Sequence, residues 1–82
     1  MAESDDDLRR LIRVKLVDGR LPAGRIARFW ARPANGETCL ACAGIITQAQ
    51  LVMEGVPDGG PPPQFHTKCF SIWQRERDAP DR

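Results

Sequence analysis

The chain of 82 residues is poor in the side chains that support much enzyme and secretory chemistry: it has one histidine, three cysteines and no tyrosine. A Ser/His/Asp set would have to use the same imidazole that a metal site needs. The odd cysteine count argues against a closed disulfide framework. The chain also lacks the run of about 20 apolar residues that spans a bilayer and the apolar stretch of a secretory signal. We therefore expect reduced cysteines, a cytoplasmic location and no membrane association.

All the soft metal ligands of the chain fall into two short motifs. Cys39 and Cys42 form a C-x2-C pair, and His66 and Cys69 form an H-x2-C pair after a gap of 23 residues. Structural zinc is held tetrahedrally by four such ligands, and Cys3His is one of the standard sets. A two-residue spacer lets both members of a pair reach one ion from a tight turn or from the first turn of a helix. The spacing predicts one structural zinc ion on these four residues.

Two other interpretations of the cysteines are open. Cys39 and Cys42 resemble a thioredoxin-like redox pair, but that chemistry is typical of a βαβ context that the sequence lacks. It would also leave the matching spacing of His66 and Cys69 unexplained. Oxidation of the thiolates with release of the metal is a further possible behaviour of the same site.

The composition leaves room for only a small core. Apolar residues make up 41% of the chain, but seven glycines and seven prolines interrupt them. Chains this short often need a disulfide or a bound metal to stabilise the fold. Structural zinc contributes on the order of 10 kcal/mol to the folding free energy of small zinc fingers. We expect one domain in two parts, an N-terminal helix with a basic linker in residues 1–36 and a zinc-binding module in residues 37–82 that unfolds without the ion.

A helix is predicted over residues 5–18. Ser4 can cap it, and three aspartates at positions 5–7 favour its positive end. Leucine or isoleucine at positions 8, 11, 12 and 16 forms one apolar face, which we expect to pack on its own domain. Gly19 is suited to end the helix.

Charge is strongly segregated along the first part of the chain. Residues 3–7 carry four acidic groups, whereas residues 9–32 carry eight basic groups against one aspartate. Such a basic block is a candidate footprint for an anionic partner, and the alternative is an arm whose arginines pair with local carboxylates. Within it, residues 25–32 are either a short helix or an extended segment. The candidate partner or nucleic-acid contacts are Arg9, Arg10, Arg13, Lys15, Arg25, Arg28 and Trp30, with Phe29 and Trp30 able to stack on bases or to cover the zinc module.

The second half alternates turns with short elements. Residues 39–44 predict a zinc knuckle in which Ala43 and Gly44 let backbone N–H groups approach the sulfurs. Residues 51–56 and 64–66 predict two strands around a turn-rich proline segment, and residues 67–78 predict the last helix. The apolar residues expected in the core are Phe65, Phe70, Ile72 and Trp73. Glu76, Arg77 and Asp78 are expected to form a solvated face.

A knuckle, a β-hairpin and a helix whose first turn supplies the last ligands resemble the treble-clef arrangement. The ligand order is similar to the first zinc half of a LIM domain, without ligands for a second half. The pattern of Cys39, Cys42, Ile45, Phe65, His66, Cys69, Phe70 and Trp73 resembles small single-zinc bacterial proteins. The resemblance covers residues 39–78 and implies a small zinc-stabilised α+β fold, an N-terminal helix plus a treble-clef finger. It implies no activity, because treble clefs serve many functions.

These features favour a non-catalytic zinc-binding protein that acts as an interaction or regulatory module for another protein. The alternative is a nucleic-acid-binding zinc finger that uses residues 9–32, with strongly salt-dependent affinity. An enzyme is disfavoured because catalytic zinc keeps an open position and usually has a nearby base, whereas the predicted ligands fill all four positions. We expect no small-molecule substrate.

Overall fold

The computed structural model describes residues 5–22, 28–56 and 62–78, which form a small α+β fold with a helix at each end. Neither of the helices within these ranges is long and apolar enough to cross a membrane. In chain order the elements are α1 (Asp5–Val17), β1 (Phe29–Pro33), β2 (Glu37–Thr38), β3 (Ile45–Ile46), β4 (Leu51–Gly55), β5 (Gln64–His66) and α2 (Thr67–Asp78).

The predicted N-terminal helix is confirmed and ends one residue earlier than expected. Gly19 adopts a left-handed backbone with φ of 78°. Its N–H donates to the carbonyl of Leu16 at 3.3 Å, and the next N–H, of Arg20, reaches back to Lys15 at 2.9 Å. These two bonds form a Schellman motif, which satisfies the last carbonyls of the helix and requires a residue that tolerates positive φ. The predicted Ser4 cap lies outside the described residues.

The apolar face of α1 is also as predicted. Leu8 and Ile12 are buried, and the flanking leucines at positions 11 and 16 are partly buried. Val14 and Val17, which lie off this face, are 47% and 84% exposed. The helix therefore packs on the rest of the chain and shares one core with residues of the second half, such as Ile46.

The main sheet has three antiparallel strands in the order β1-β4-β5. Trp30 lies opposite Glu54, and Val52 lies opposite His66. Residues 29–33 are thus extended, which excludes the short helix considered above for the described part of residues 25–32. Residues 23–27 lie outside the described residues. The predicted strand at 51–56 is confirmed over 51–55. The tip of the proline-rich connection, residues 57–61, is not among the described residues.

A second, two-stranded sheet pairs β2 with β3, and Thr38 lies opposite Ile45. The sequence did not predict this pairing, because each strand has only two residues and so carries no periodic signal. The hairpin encloses residues 39–44, and it is the element that shapes the knuckle.

Helix α2 follows β5 without a loop and matches the predicted helix. Its buried Trp73 stacks on Phe65 with ring centroids 5.0 Å apart, while Phe70 is partly buried. Phe29 from β1 completes the aromatic cluster, 5.5 Å from Trp73. The indole N–H of Trp73 donates to the carbonyl of Pro22 at 2.9 Å, so this buried donor is satisfied. The expected core is confirmed.

Helix α1 crosses α2 with a specific polar contact at each end. The carboxylate of Glu76 accepts bonds from Arg9 at 3.2 Å and from Arg13 at 2.8 Å, and its side chain is only 6% exposed. Lys68 pairs with Asp5 at 2.6 Å. The expectation of a solvated face was wrong for Glu76, because α1 covers it, and for Arg77, whose side chain is 14% exposed and lies 4.5 Å from the Trp73 ring. Asp78 is exposed as expected.

Candidate metal centre

The four predicted ligands converge from three places in the fold. Cys39 and Cys42 flank the turn between β2 and β3, His66 ends β5, and Cys69 lies in the first turn of α2. Their ligand atoms all lie within 4.8 Å of one another. Cys39 and Cys69 are buried, and the other two ligands are partly buried. The folded chain therefore forms a Cys3His group that can bind one metal ion.

A tight turn holds the first two ligands. The N–H of Cys39 donates to the carbonyl of Gly44 at 2.8 Å, and the N–H of Ala43 donates to the carbonyl of Cys39 at 2.9 Å. Ala43 adopts a positive φ of 64° to close the turn. The N–H of Gly44 points at the sulfur of Cys42 at 3.4 Å, as predicted. Ala43 does not make the predicted sulfur contact, because its N–H is used by the turn.

The second pair is linked to the first by a backbone contact and by the imidazole ring. The N–H of His66 points at the sulfur of Cys39 at 3.5 Å. The Nδ1 atom of His66 lies 3.4 Å from the sulfur of Cys42 and 3.8 Å from that of Cys69. Its Nε2 atom lies 3.1 Å from the carbonyl oxygen of Ile45.

These contacts assign the histidine tautomer. A carbonyl oxygen only accepts, so Nε2 carries the proton and Nδ1 presents its lone pair to the sulfurs. Metal-binding histidines commonly hold their second nitrogen in this way, which fixes the ring and raises its basicity. The sequence did not reveal the contact with Ile45, because it depends on β3 lying beside β5.

Two of the distances between ligand atoms can be compared with those of tetrahedral zinc. Zinc bonds of about 2.3 Å to sulfur and about 2.05 Å to nitrogen give sulfur–nitrogen edges of about 3.6 Å in a tetrahedron. The two observed distances from His66 Nδ1, 3.4 and 3.8 Å, fall on either side of that value. The donor set and these two edges are therefore consistent with a zinc site.

The thiols influence one another's ionisation. The hydrogen bond with Cys69, together with backbone N–H groups around the sulfur, lowers the pKa of Cys39 to about 4. The same bond and burial raise the pKa of Cys69, and burial raises the pKa of Cys42. Three sulfurs this close repel one another as thiolates. A divalent cation bound by all three favours the thiolate form of each, so binding releases protons.

Helix α1 and β5 hold the knuckle from outside. The ammonium group of Lys15 donates to the carbonyl of Ala41 at 2.6 Å and lies 3.4 Å from that of Leu40. The N–H of Leu40 donates to the carbonyl of Gln64 in β5 at 2.8 Å. The knuckle is thus attached both to the sheet and to the first helix.

Several of the basic residues considered as partner contacts are used within the chain. Arg9 and Arg13 bind Glu76, and Lys15 binds the knuckle. Arg10 and Arg28 are exposed and form no ion pair with a described residue. Trp30 is 43% exposed and donates its indole N–H to Glu54 at 3.2 Å. Arg25 lies outside the described residues, so its predicted contact is not tested.

Glu54 is the centre of a polar cluster on this face of the sheet. Arg32 bridges it to Glu37, at 3.0 and 2.8 Å, and Gln64 donates to it at 2.9 Å. The bond from Arg32, followed by that from Gln64, lowers the pKa of Glu54 to about 2. The cluster combines one cation with two carboxylates, and no local sequence pattern marks it, because its members lie on different strands.

Comparison with known proteins gave no match to a family model, to a curated protein or to a solved structure. The metal centre therefore rests on its four side chains and their geometry. The relation to LIM domains and to small bacterial zinc proteins stays a prediction.

Proposed function

We propose that the chain binds one Zn²⁺ ion through Cys39, Cys42, His66 and Cys69, and that the ion has a structural role in a treble-clef module. The observation that carries this proposal is the set of sulfur–nitrogen distances around a histidine whose Nδ1 faces the cysteines. The knuckle, the β4–β5 hairpin and the start of α2 correspond to the three parts of that arrangement. Reduced thiols at the centre accord with a cytoplasmic location.

The ion would join two parts of the fold that are distant in sequence. One pair of ligands belongs to the β2–β3 turn and the other to the β5–α2 junction, 23 residues further along the chain. A structural zinc site of this kind contributes on the order of 10 kcal/mol to folding. For a core of this size, that is comparable with the whole stability of a small domain.

The proposed site is non-catalytic. Four protein ligands complete a tetrahedral zinc, whereas catalytic zinc has three protein ligands and a water or substrate. The chain has only one histidine, and the site uses it as a ligand. No imidazole is then left to act as a general base.

An interaction role for the module is supported by its surface. Large apolar side chains remain at least 38% exposed in the described part of the chain, and they are Val14, Val17, Trp30, Leu40, Ile45, Leu51 and Val56. Side chains of this kind supply contact area in protein interfaces. We propose a protein partner rather than a small-molecule substrate.

Metal content and chelation test the zinc proposal. Protein purified without added metal should contain one zinc per chain by elemental analysis, and chelation should abolish its near-UV circular dichroism. Cys69→Ser should lose the metal, and the exposed neighbour Ser71→Ala is the matched control that should keep it. Zinc-free protein that is fully folded would contradict the proposal.

Nucleic-acid binding stays the second candidate, supported by Arg10 and Arg28, which are exposed and form no ion pair with a described residue. Arg10→Glu is a sharper test than a change of Arg9 or Arg13, because the latter two bind Glu76. If the chain binds nucleic acid, Arg10→Glu should weaken a complex whose affinity falls with salt. Affinity that does not change with salt would exclude this candidate.

A further inference from the structure

Strand β1 has one edge that no described strand occupies. It lies at the end of the order β1-β4-β5. The N–H of Val56 donates to the carbonyl of Arg28 at 3.1 Å, and the N–H of Ala34 donates to that of Gln50 at 3.0 Å. In an antiparallel pair such bonds recur at every second residue, so the even-numbered residues of β1 bond β4. The backbone groups of the odd-numbered residues 29, 31 and 33 point to the open edge.

This edge has little of the protection that isolated edges usually show. Natural edges are blunted by charged side chains, especially lysine, by bulges or by proline. Here the strand is FWARP, with proline only at its last position, and the charge of its one arginine, Arg32, is held by Glu37 and Glu54. Ala31, at the centre, is exposed, and its neighbour Trp30 is 43% exposed. The centre of the strand is therefore open to pairing.

The edge is complementary to a second copy of itself. In a two-fold antiparallel pairing centred on Ala31, the N–H and carbonyl of Ala31 exchange both bonds with the partner's Ala31. The N–H of Phe29 then donates to the carbonyl of the partner's Pro33. Proline only has to accept at that position, which its missing N–H allows. Its carbonyl already accepts from the Arg32 guanidinium at 3.3 Å, and a carbonyl oxygen has a second lone pair for the partner's N–H.

Charge is complementary in the same pairing. The cluster of Arg32 with two carboxylates carries one net negative charge, and Arg28 is an exposed cation on the same face of the sheet. The pairing sets Arg28 opposite the partner's Ala34. Within each chain the carboxylate of Glu37 accepts the N–H of Asn35 at 2.6 Å. The partner's Glu37 therefore lies next to the partner's Ala34 and close to Arg28. Trp30 comes to lie opposite the partner's Arg32, an arrangement that favours stacking.

We propose that two copies of this chain associate through β1, in antiparallel pairing about Ala31, to form a continuous six-stranded sheet. The proposal rests on the interaction role inferred above and specifies a second copy as the partner. It does not involve the metal ligands, so the zinc site and the dimer can fail separately.

Sedimentation equilibrium of the full zinc-loaded chain over a range of concentrations is the first test. The wild type should show a monomer–dimer equilibrium. Ala31→Pro removes an N–H that β4 does not use, and it should raise the dimer dissociation constant about tenfold or more, because both central bonds are lost. Ala31→Lys, which places a charge on the edge, should act likewise. Val17→Lys, a change at an exposed site on α1, should leave the dimer intact.

Hydrogen exchange on the wild type tests the same edge without a substitution. Exchange of the amides of Phe29 and Ala31 should slow as the protein concentration rises. The amides of Trp30 and Arg32, which bond β4 within one chain, are the internal controls and should change little.

A wild type that stays monomeric at every concentration overturns the proposal, whether the edge is then free or bound to a peptide of another protein. A dimer that Ala31→Pro and Ala31→Lys leave unchanged overturns it as well. Zinc content measured on the same samples separates this failure from failure of the metal site: a monomer with one zinc per chain refutes only the dimer.

Discussion

Replacing Glu76 by glutamine tests whether the contact between the two helices stabilises the fold. The wild-type carboxylate is 6% exposed and accepts bonds from Arg9 and Arg13. Glutamine keeps the size of the side chain, but it removes the charge and turns an amide N–H₂ toward a guanidinium. We expect the packing of the helices to persist and their electrostatic attraction to be lost.

The size of the expected stability loss follows from the solvent exposure of Arg9 and Arg13, the two arginines that bind Glu76. A hydrogen bond to a charged group contributes about 1.5–3 kcal/mol, whereas an exposed ion pair contributes less than about 1 kcal/mol. The carboxylate is covered, but the arginine side chains are 47% and 63% exposed, so solvent screens the pair. We expect Glu76→Gln to lower the free energy of unfolding by about 1.5 kcal/mol. For a domain of this size that lowers Tm by about 6 to 12 °C.

Thermal unfolding at fixed zinc concentration and neutral pH measures this effect. Asp78→Asn is the matched control on the same helix, because Asp78 is 68% exposed and pairs only with the adjacent Arg77. The control should shift Tm by less than about 3 °C. The reasoning is refuted if the two variants have equal Tm values, or if Glu76→Gln is as stable as the wild type.

The contribution of Glu76 to the free energy of unfolding should depend on pH, and the direction of that dependence follows from its pKa. Burial raises the pKa of Glu76, but hydrogen bonds from Arg13 and Arg9 outweigh burial, and the pKa lies below its usual range. A carboxyl with a depressed folded pKa stabilises the protein fully above its unfolded pKa of about 4.3, and this stabilisation is lost as pH falls through the folded value. The difference in the free energy of unfolding between the wild type and Glu76→Gln should therefore be constant from about pH 6 to 8. It should become smaller at acidic pH.

Three further substitutions test the supports around the site by the same thermal assay at fixed zinc. Gly19→Ala should lower the free energy of unfolding by about 1 kcal/mol, because alanine is strained at a φ of 78°. A Cβ at this position meets no atom within 4 Å, so no clash adds to that strain. An unchanged Tm would mean that the Schellman turn is not needed. Trp73→Phe should lower the free energy of unfolding by about 2 kcal/mol, because it leaves the carbonyl of Pro22 without its donor. If Trp73→Phe lowers Tm no more than Phe70→Leu does, this explanation is wrong. Lys15→Met should cost about 1 kcal/mol and speed zinc release to a chromogenic chelator, because it removes the bond to Ala41; release at the wild-type rate would count against this contact.

The two helices could be predicted from sequence because their signals are local. Apolar residues at positions 8, 11, 12 and 16 recur with the period of a helix, and Gly19 supplies the backbone that ends it. The strand at 29–33 has no clean period, since basic and apolar residues alternate irregularly there. Pairing with β4 decides its conformation, and that partner lies about 20 residues away.

The contacts of the basic segment could not be predicted for a related reason. Arg9 and Arg13 have acidic neighbours in sequence, but their main partner is Glu76, 67 and 63 residues away. The sequence pattern therefore offered these arginines either a partner or local carboxylates, and it predicted a solvated face for Glu76. Only the crossing of α1 over α2 brings the three together and removes the carboxylate from water.

The sequence by itself determined the members of the candidate metal centre. It contains three cysteines and one histidine, in two pairs with the spacing of zinc ligands, so no other set of four such residues exists. The tertiary structure alone decided which imidazole nitrogen faces the sulfurs. That choice depends on the carbonyl of Ile45, which accepts from His66 Nε2 only because β3 lies beside the end of β5. Ligand identity is a property of composition and spacing, whereas ligand orientation depends on hydrogen bonds between segments distant in the chain.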